Sequence, residues 1–513
     1  MLSVTTKQMN GADELNGEAK ATVDLLVVGG GINGAGIARD ATGRGLSVLL
    51  VEQDDLAAHT SSASTKLIHG GLRYLEYGEI RLVHEALVER ERLWGMAPHI
   101  ISPLRFVLPQ TQSPRPAWMV RLGLFLYDHL GGRKKLPGTE TIRLDRSPYG
   151  AGLRDTRGKG FVYSDCRVDD SRLVVLNARD AADRGADIRT HTKLLAARRE
   201  DGGWVATIVD AAGEQTVRAR VLVNAAGPWV ADVLRRVPDA EAHRSVRLVK
   251  GSHIVVPRLY AGEHAFMLQN PDRRIVFTIP YQSAFTLVGT TDEPWDGAPA
   301  DATISAAETH YLLETVARYF SNAPGEADIV WSYAGIRPLY DDKAGNASAV
   351  TRDYVLDLDA GEARAPMLSV FGGKITTYRK LAEHALGELA RFFPEAGAAW
   401  TAGAVLPGGD MPGADLDAFV AQLQREWPDL PPALVLRLAR AYGTKARILL
   451  GTARGMADLG EDLGGGLTMR EVDYLRTREW ARTAEDILYR RSKLALHVPP
   501  GTAARLGAYL AQA

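Results

Sequence analysis

The stretch TVDLLVVGGGINGAGIARDATGRGLSVLLVEQ, residues 22–53, decides the fold class. A β-branched run gives way to a glycine turn, an alanine-rich helical stretch and a second apolar run, which is the pattern of a βαβ unit. Gly29, Gly31 and Gly34 satisfy GxGxxG. The first makes the tight turn, the second lets a pyrophosphate approach the backbone, and the third lets helix and strand pack closely. The helix start supplies N–H groups and a positive dipole end to the phosphates. Glu52 closes the second run, eighteen residues after Gly34, where a carboxylate accepts from a ribose hydroxyl and repels a 2′-phosphate. A dinucleotide of the NAD or FAD kind is expected, and NADP is disfavoured.

Around this unit the chain reads as globular. Its 513 residues suffice for two or three domains, and with 24% charged and 46% hydrophobic residues the bulk of it is not intrinsically disordered. Lys and Arg number 61 against 62 Asp and Glu, so no global charge draws it to nucleic acid, and none is expected as a partner. A single cysteine, Cys166, excludes disulfide frameworks, CxxC pairs and Cys-rich zinc sites. Redox chemistry then falls to a cofactor, and no metal site is expected. Residues 1–22 lack a basic start and an apolar core of the signal-peptide kind and read as a mobile polar leader.

The remainder of the chain bears on which dinucleotide binds. A flavoprotein reduced by a nicotinamide would normally carry a second GxGxxG, and the sequence has none, so bound FAD would be reduced by the substrate itself. The string VRARVLVNAAGPWV, residues 217–230, is an apolar strand ending in Asn224, Ala225, Ala226 and Gly227, small residues that let backbone approach a ligand.

Six strings, the first from the unit already described, carry a resemblance. VVGGGINGAGIARDATGRG from Val27, SSASTKLIHGGLRYLE from Ser61, YSDCRVDDSRLV from Tyr163, KGSHIVVP from Lys250, and the pair AGIRPL and FGGKITTYRKLAEHAL from Ala334 and Phe371 stand in order. Between about Asp24 and His497 the chain resembles the FAD-dependent glycerol-3-phosphate dehydrogenases of the respiratory, quinone-linked type. The resemblance implies an α/β (α+β) fold: a Rossmann-like FAD-binding domain interleaved with a mixed-sheet substrate domain, D-amino-acid-oxidase-like, over residues 23–386, then a helical domain over 387–513. It places FAD along the GGGING turn, with Asn33, and implies sn-glycerol 3-phosphate as substrate, ubiquinone or menaquinone as acceptor, and a homodimer.

Read physically, Ser61, Ser62 and Ser64 offer hydroxyls, and His69, Gly70 and Gly71 follow in a loop whose glycines permit close approach of a flavin ring. A phosphate dianion calls for arginines, whose guanidinium fork binds two oxygens. The resemblance assigns Arg337 and Arg352 to the substrate pocket, with Arg73 and Tyr74 as further contacts. Lys374 follows an apolar strand and two glycines, at a helix start where the dipole disfavours a cation, so an anion is expected beside it. It is expected to stabilise negative charge on the reduced flavin or on the substrate hydroxyl. Arginine stays protonated and cannot serve as base, whereas histidine can. His253, at the head of a β-branched run, is the expected base, with His69 as the other candidate. The expected catalytic set is His253, Arg337 and Lys374.

Residues 114–138, PRPAWMVRLGLFLYDHLGGRKKLPG, place Trp118, Leu122, Phe125 and Leu126 at helical spacing, with Arg133, Lys134 and Lys135 beyond. This suits a membrane surface as well as a core, and the family's attachment to the cytoplasmic face of the cell membrane favours a monotopic anchor and a cytoplasmic, peripherally bound enzyme. Residues 469–497 read as charged surface helices packed on one face. Two other readings stay open: an oxidase passing electrons to oxygen, and a non-catalytic dinucleotide-binding module.

Overall fold

The structure, a computed structural model, describes residues 22–132, 135–238, 246–340, 353–361 and 364–512. The expected leader up to residue 21, Arg133, Lys134 and Arg352 lie outside them.

The βαβ unit forms as read. Strand β1 (Val23–Val28) leads through Gly29–Gly31 into helix α1 (Ile32–Gly43), and strand β2 (Val48–Val51) returns parallel to β1. Strand Gly213–Asn224 pairs parallel with β1 on its other side, and Met367–Phe371 pairs parallel beyond it. Together with Asp187–Arg189, the antiparallel Val355–Asp359 and a hairpin of Lys193–Glu200 and Gly203–Asp210, they complete an eight-stranded sheet. Alternation along β1 explains its two coverings. Leu25 and Val27 face α1 and the helices Asp170–Asp183 and Tyr378–Leu389, while Leu26 and Val28 face the side of the sheet onto which Trp204 and Ile208 of the hairpin fold.

The chain leaves this sheet to build a second one and returns to it twice. Residues 67–168 and 246–340 contribute strands to a ten-stranded mixed sheet, between segments that belong to the first. Helices Ile80–Met96 and Ala117–Leu130 cover one face of the second sheet over Phe106, Tyr163 and Val255, and helix Ala306–Tyr319 covers the other over Val107, Ile254 and Val256. The interleaving implied by the resemblance is therefore physical, since neither sheet is assembled from one continuous stretch.

A third core, formed by residues from Met411 to Leu506, gathers the C-terminal helices. The expected division at residue 387 falls inside helix Tyr378–Leu389, which buries Leu381, Ala385, Leu386 and Leu389 in the first-sheet core. Residues 469–497 differ from the expected surface helices. Helix Met469–Glu479 stops at Trp480, whose φ is +58°, and a π-helical turn, Asp486–Arg491, follows. Glu479, Arg490, Arg491 and Lys493 are buried because each has an oppositely charged partner on the first domain or beside it.

A Cβ at residue 34 would lie 1.9 Å from the Gly29 carbonyl oxygen, so α1 approaches β1 only because residue 34 is glycine. Gly34→Ala is expected to cost about 1–3 kcal/mol through overpacking. The variant should purify with under half the wild-type flavin per chain and with a lower melting temperature, measured by absorbance and calorimetry.

Candidate functional site

A cleft with about 1200 Å³ of unfilled space opens at the carboxyl ends of β1 and strand Gly213–Asn224, the place where parallel sheets bind nucleotides. Gly29, Gly31, Asn33, Glu52, Ser61, Ser64, Ala226 and Gly227, all expected from the sequence, border it. Gly34 does not, because it packs behind the turn against Gly29.

The residues present fit a flavin dinucleotide. Gly29 has φ of +115°, and a Cβ there would strike the Ala225 carbonyl oxygen at 2.5 Å, so the turn and the strand end meet as bare backbone. Helix α1 has Gly31, which lacks a side chain, as its N-cap and no acid in its first turn, an arrangement that favours an anion at its N-terminus. Ile32 donates its N–H to Ser61 Oγ at 3.0 Å, tying the serine loop to that turn. Asn33 Nδ2 donates to the Gly372 carbonyl at 3.1 Å, while its buried Oδ1 has no partner among the described residues. Glu52 accepts the N–H of Gly30 at 2.6 Å and of Asp54 at 2.9 Å. Burial pushes its carboxyl above the ordinary range, and a ribose hydroxyl offers a further donor to it.

Other expected cofactor residues stand apart from the cleft. Ser62 Oγ donates to the His59 carbonyl at 3.2 Å, and Ser62 faces a neighbouring cavity with about 1130 Å³ of unfilled space instead. His69 packs edge-on against Phe277, with ring centroids 6.4 Å apart. The space beside Gly70 is filled by Leu87 and the Tyr127 hydroxyl, so its lack of a side chain is explained by packing at its own position. Glu52, Asp54 and His59 bring possible ligand atoms within 4.8 Å of one another. Their oxygens and ring nitrogen already bond each other or backbone N–H groups.

The expected catalytic residues come from two paired strands, Val246–Pro257 and Trp331–Tyr340. His253 lies opposite Tyr333 and Val249 opposite Arg337, so His253 and Arg337 share one face of the sheet. Between them Gly251 lies opposite Gly335. A Cβ on Gly251 would meet Arg337 Nη2 at 2.0 Å, and one on Gly335 would meet Ala63 Cβ at 2.8 Å. The glycine pair thus lets the arginine fold across the sheet and the serine loop lie upon it.

His253 is buried and stacks on Tyr333 at 4.8 Å, with Nε2 3.1 Å from Thr65 Oγ1. Its Nδ1 has no partner among the described residues. Burial, and then the charges of Lys66 and Arg337, hold its pKa well below the ordinary value. Arg337 Nη2 donates to Thr290 Oγ1 and to the Thr291 carbonyl, each at 3.0 Å, and Nη1 pairs with Asp292. Lys374 follows Gly372 and Gly373, with φ of +77° and +100°, and its ammonium sits 3.9 Å from the centroid of the Tyr74 ring. Arg73 lies on the same short helix as Tyr74, Leu72–Tyr77, and its buried Nε has no partner among the described residues.

Several residues of this region were missed by sequence reasoning. Trp229 closes the cleft beside His59, with ring centroids 4.4 Å apart, and Lys66, Asp170 and Tyr333 support the serine loop. The lysine directly after the serine run and the paired acids of VDDSR were the available signals.

A family model described as FAD dependent oxidoreductase matches residues 24–379. The chain belongs to that family. Residues 399–506 match a second model, the C-terminal domain of alpha-glycerophosphate oxidase. The chain is 56% identical to a glycerol-3-phosphate dehydrogenase of Pseudomonas aeruginosa, over 95% of this chain and 94% of that one. It is 49% identical to the aerobic glycerol-3-phosphate dehydrogenase of Escherichia coli, over 96% and 98%. A D-erythritol 1-phosphate dehydrogenase of Brucella abortus is 54% identical, over 93% and 95%. Among solved structures, a Bacillus halodurans glycerol-3-phosphate dehydrogenase complexed with FAD superposes with a TM-score of 0.73 at 27% identity, covering 93% of this chain and 87% of that one.

Because its folded pKa is depressed, His253 stays neutral, and able to take a proton, as pH falls through the ordinary histidine value of 6.5. The rate of flavin reduction by substrate should therefore stay level through pH 6.5 and fall only at more acid pH. Anaerobic stopped-flow across pH 5–8 checks this, and a break at or above 6.5 that is absent from His253→Ala would refute it.

Proposed function

We propose that the chain oxidises sn-glycerol 3-phosphate to dihydroxyacetone phosphate, passes the electrons to ubiquinone or menaquinone, and works on the cytoplasmic face of the cell membrane, with the homodimer that the family resemblance implies. The observation that carries the chemistry is the sheet face shared by His253 and Arg337 beside the serine loop of the dinucleotide cleft. Relatives sharing about half their residues along nearly the whole chain support the substrate.

Bound FAD supplies the acceptor for the hydride that leaves the secondary carbinol carbon. Gly29, Gly31, Asn33, Glu52, Ser61, Ser64, Ala226 and Gly227 would hold it. His253 takes the proton of the reacting hydroxyl, a transfer worth about 10²–10⁴-fold in rate when the base is positioned. Its neutrality follows from burial and from the cations of Lys66 and Arg337 nearby. Arg337, fixed by Thr290, Thr291 and Asp292, and Arg73, with its unpartnered buried nitrogen, present positive charge to the phosphate. Arg352 is assigned to the same task by the family resemblance. Lys374, seated over Tyr74, offers its ammonium to negative charge that develops during reduction.

The membrane reading is supported by helix Ala117–Leu130. It buries Val120, Leu124 and Tyr127 but presents Trp118, 70% exposed, with Met119, Leu122, Phe125 and Leu126 to solvent. Among the described residues no helix is long and apolar enough to cross a membrane. A helix with this outward apolar face suits the plane of the lipid interface, where a quinone can be reached. A second reading, favoured by the D-erythritol 1-phosphate dehydrogenase relative, keeps the same chemistry on a four-carbon polyol phosphate.

Four measurements decide these points. Anaerobic sn-glycerol 3-phosphate should bleach the flavin, and a short-chain quinone should restore its colour faster than air does. Fast recovery in air with peroxide would indicate an oxidase, and a higher kcat/KM for D-erythritol 1-phosphate would select the four-carbon substrate. Arg337→Leu should raise KM for glycerol 3-phosphate by about 10- to 100-fold, as loss of charged hydrogen bonds predicts, while glycerol oxidation changes little. Equal effects on both substrates would sink the phosphate role. Trp118→Ser with Phe125→Ser should reduce flotation with anionic liposomes at least tenfold, and unchanged flotation would exclude the helix as an anchor.

A further inference from the structure

The C-terminal helical domain reaches the flavin loop through three buried cations in four residues, Arg490, Arg491 and Lys493 of the string RRSK. The loop they reach runs from Asp55 to Lys66 and carries Ser61 and Ser64 at the dinucleotide cleft. At its first end, Asp55 is 1% exposed. It accepts from Arg490 Nε at 2.7 Å, from Arg491 Nη1 at 2.8 Å and from Arg491 Nη2 at 2.7 Å. At its far end, Lys66 Nζ donates to the Ser62 carbonyl at 2.8 Å and to Asp170 Oδ2 at 2.9 Å. Asp170, fully buried, also accepts from Ser64 Oγ at 2.8 Å and from Lys493 Nζ at 3.0 Å. Ser64 Oγ accepts the Lys66 N–H at 2.9 Å, so the loop's own turn closes on the same carboxylate.

The local backbone is shaped to make these contacts. The segment adopts a π-helical turn, in which Ser492 donates its N–H to the Ile487 carbonyl five residues back at 2.8 Å. Such turns are uncommon and concentrate at functional sites. Lys66 and Lys493 both have φ of +59°, the left-handed region that a lysine occupies only when its surroundings require it. Burial pushes the Asp170 carboxyl up, but Lys493 and Lys66 outweigh that and hold it below its ordinary value. A buried ion pair adds little net stability once the desolvation of both charges is counted. What it fixes is position, and here two carboxylates at the two ends of one cofactor loop are fixed.

We infer that Arg490, Arg491 and Lys493 are positioning residues that hold the Asp55–Lys66 loop in its flavin-binding shape through Asp55 and Asp170, making flavin retention depend on the C-terminal domain. The inference rests on the cleft being the FAD site, which the flavin content of the isolated wild-type protein tests separately. Flavin release from the diluted holoenzyme, read by recovery of free-FAD fluorescence, should be at least tenfold faster in Lys493→Met and in Asp170→Asn, with a shifted flavin spectrum. Lys493→Arg should restore most of the wild-type rate. The control is Glu479→Gln, which weakens the side-chain ion pair with Arg172 between the same two domains while keeping the Glu479 backbone carbonyl that accepts from Arg491. It should lower the melting temperature yet leave flavin release within twofold of wild type. Release within twofold of wild type in both Lys493→Met and Asp170→Asn, or acceleration by Glu479→Gln equal to that by Lys493→Met, would overturn the inference. Should a variant fail to fold, amide exchange on the wild-type holoenzyme decides: segments 55–66 and 486–493 should open with one shared rate, and clearly different rates would refute the coupling.

Discussion

The structure depends on one close approach, that of the first residues of helix α1 to the end of strand β1. With Gly29 and Gly34 in van der Waals contact and Gly29 pressed on the Ala225 carbonyl, three backbone segments converge with no side chain between them. Convergence at that point leaves the helix N-terminus facing the cleft, with Gly31 offering no capping side chain and, among the described residues, only the Ile32 N–H taken by Ser61. Such an N-terminus is a site of positive potential, and a pyrophosphate is the group that satisfies it. Two further residues that line the cleft, Glu52 just after β2 and Ser61 on its loop, are placed by hydrogen bonds back to that turn.

The second constraint is the way the chain alternates between two sheets. The serine loop leaves the first sheet after β2 and enters the second at Leu67–Ile68, so it bridges the nucleotide cleft and the sheet that carries His253 and Arg337. Gly251 and Gly335 on that sheet admit the arginine and the loop to the same face. Residues of the cleft and of the second sheet, far apart in sequence, are thereby joined through one loop. The low local dielectric and the cations around His253 keep the imidazole neutral, the state a base requires.

The charges buried between the first and third cores are the third element. Arg172 with Glu479, Arg491 with Asp55, and Lys493 with Asp170 join the C-terminal helices to the segments around the cleft. Each group alone would be expensive to bury, and together they fix one docking geometry. Helix Ala117–Leu130 shows the opposite case, an apolar face that the fold leaves uncovered although a core lies on its other side.

The sequence by itself determined the βαβ unit, the glycine turn of Gly29 and Gly31 with Glu52 beside it, the strand end at Ala226 and Gly227, and the family. These are local signals: glycine tolerates backbone geometries and close approaches that other residues do not, and strand and helix periodicity is legible within a few residues. The family strings also supplied His253, Arg337 and Lys374. Tertiary structure alone decided which of these residues meet. Register between two strands some eighty residues apart in the chain put His253 and Arg337 on one face, and long-range packing turned Ser62, His69 and Gly70 away from the nucleotide cleft. It also showed that the charges of RRSK are buried partners of Asp55 and Asp170 rather than a solvated helix face. A charged residue reads as exposed in sequence because burial without a partner is costly, and the partner, hundreds of residues away, exists only in the folded chain.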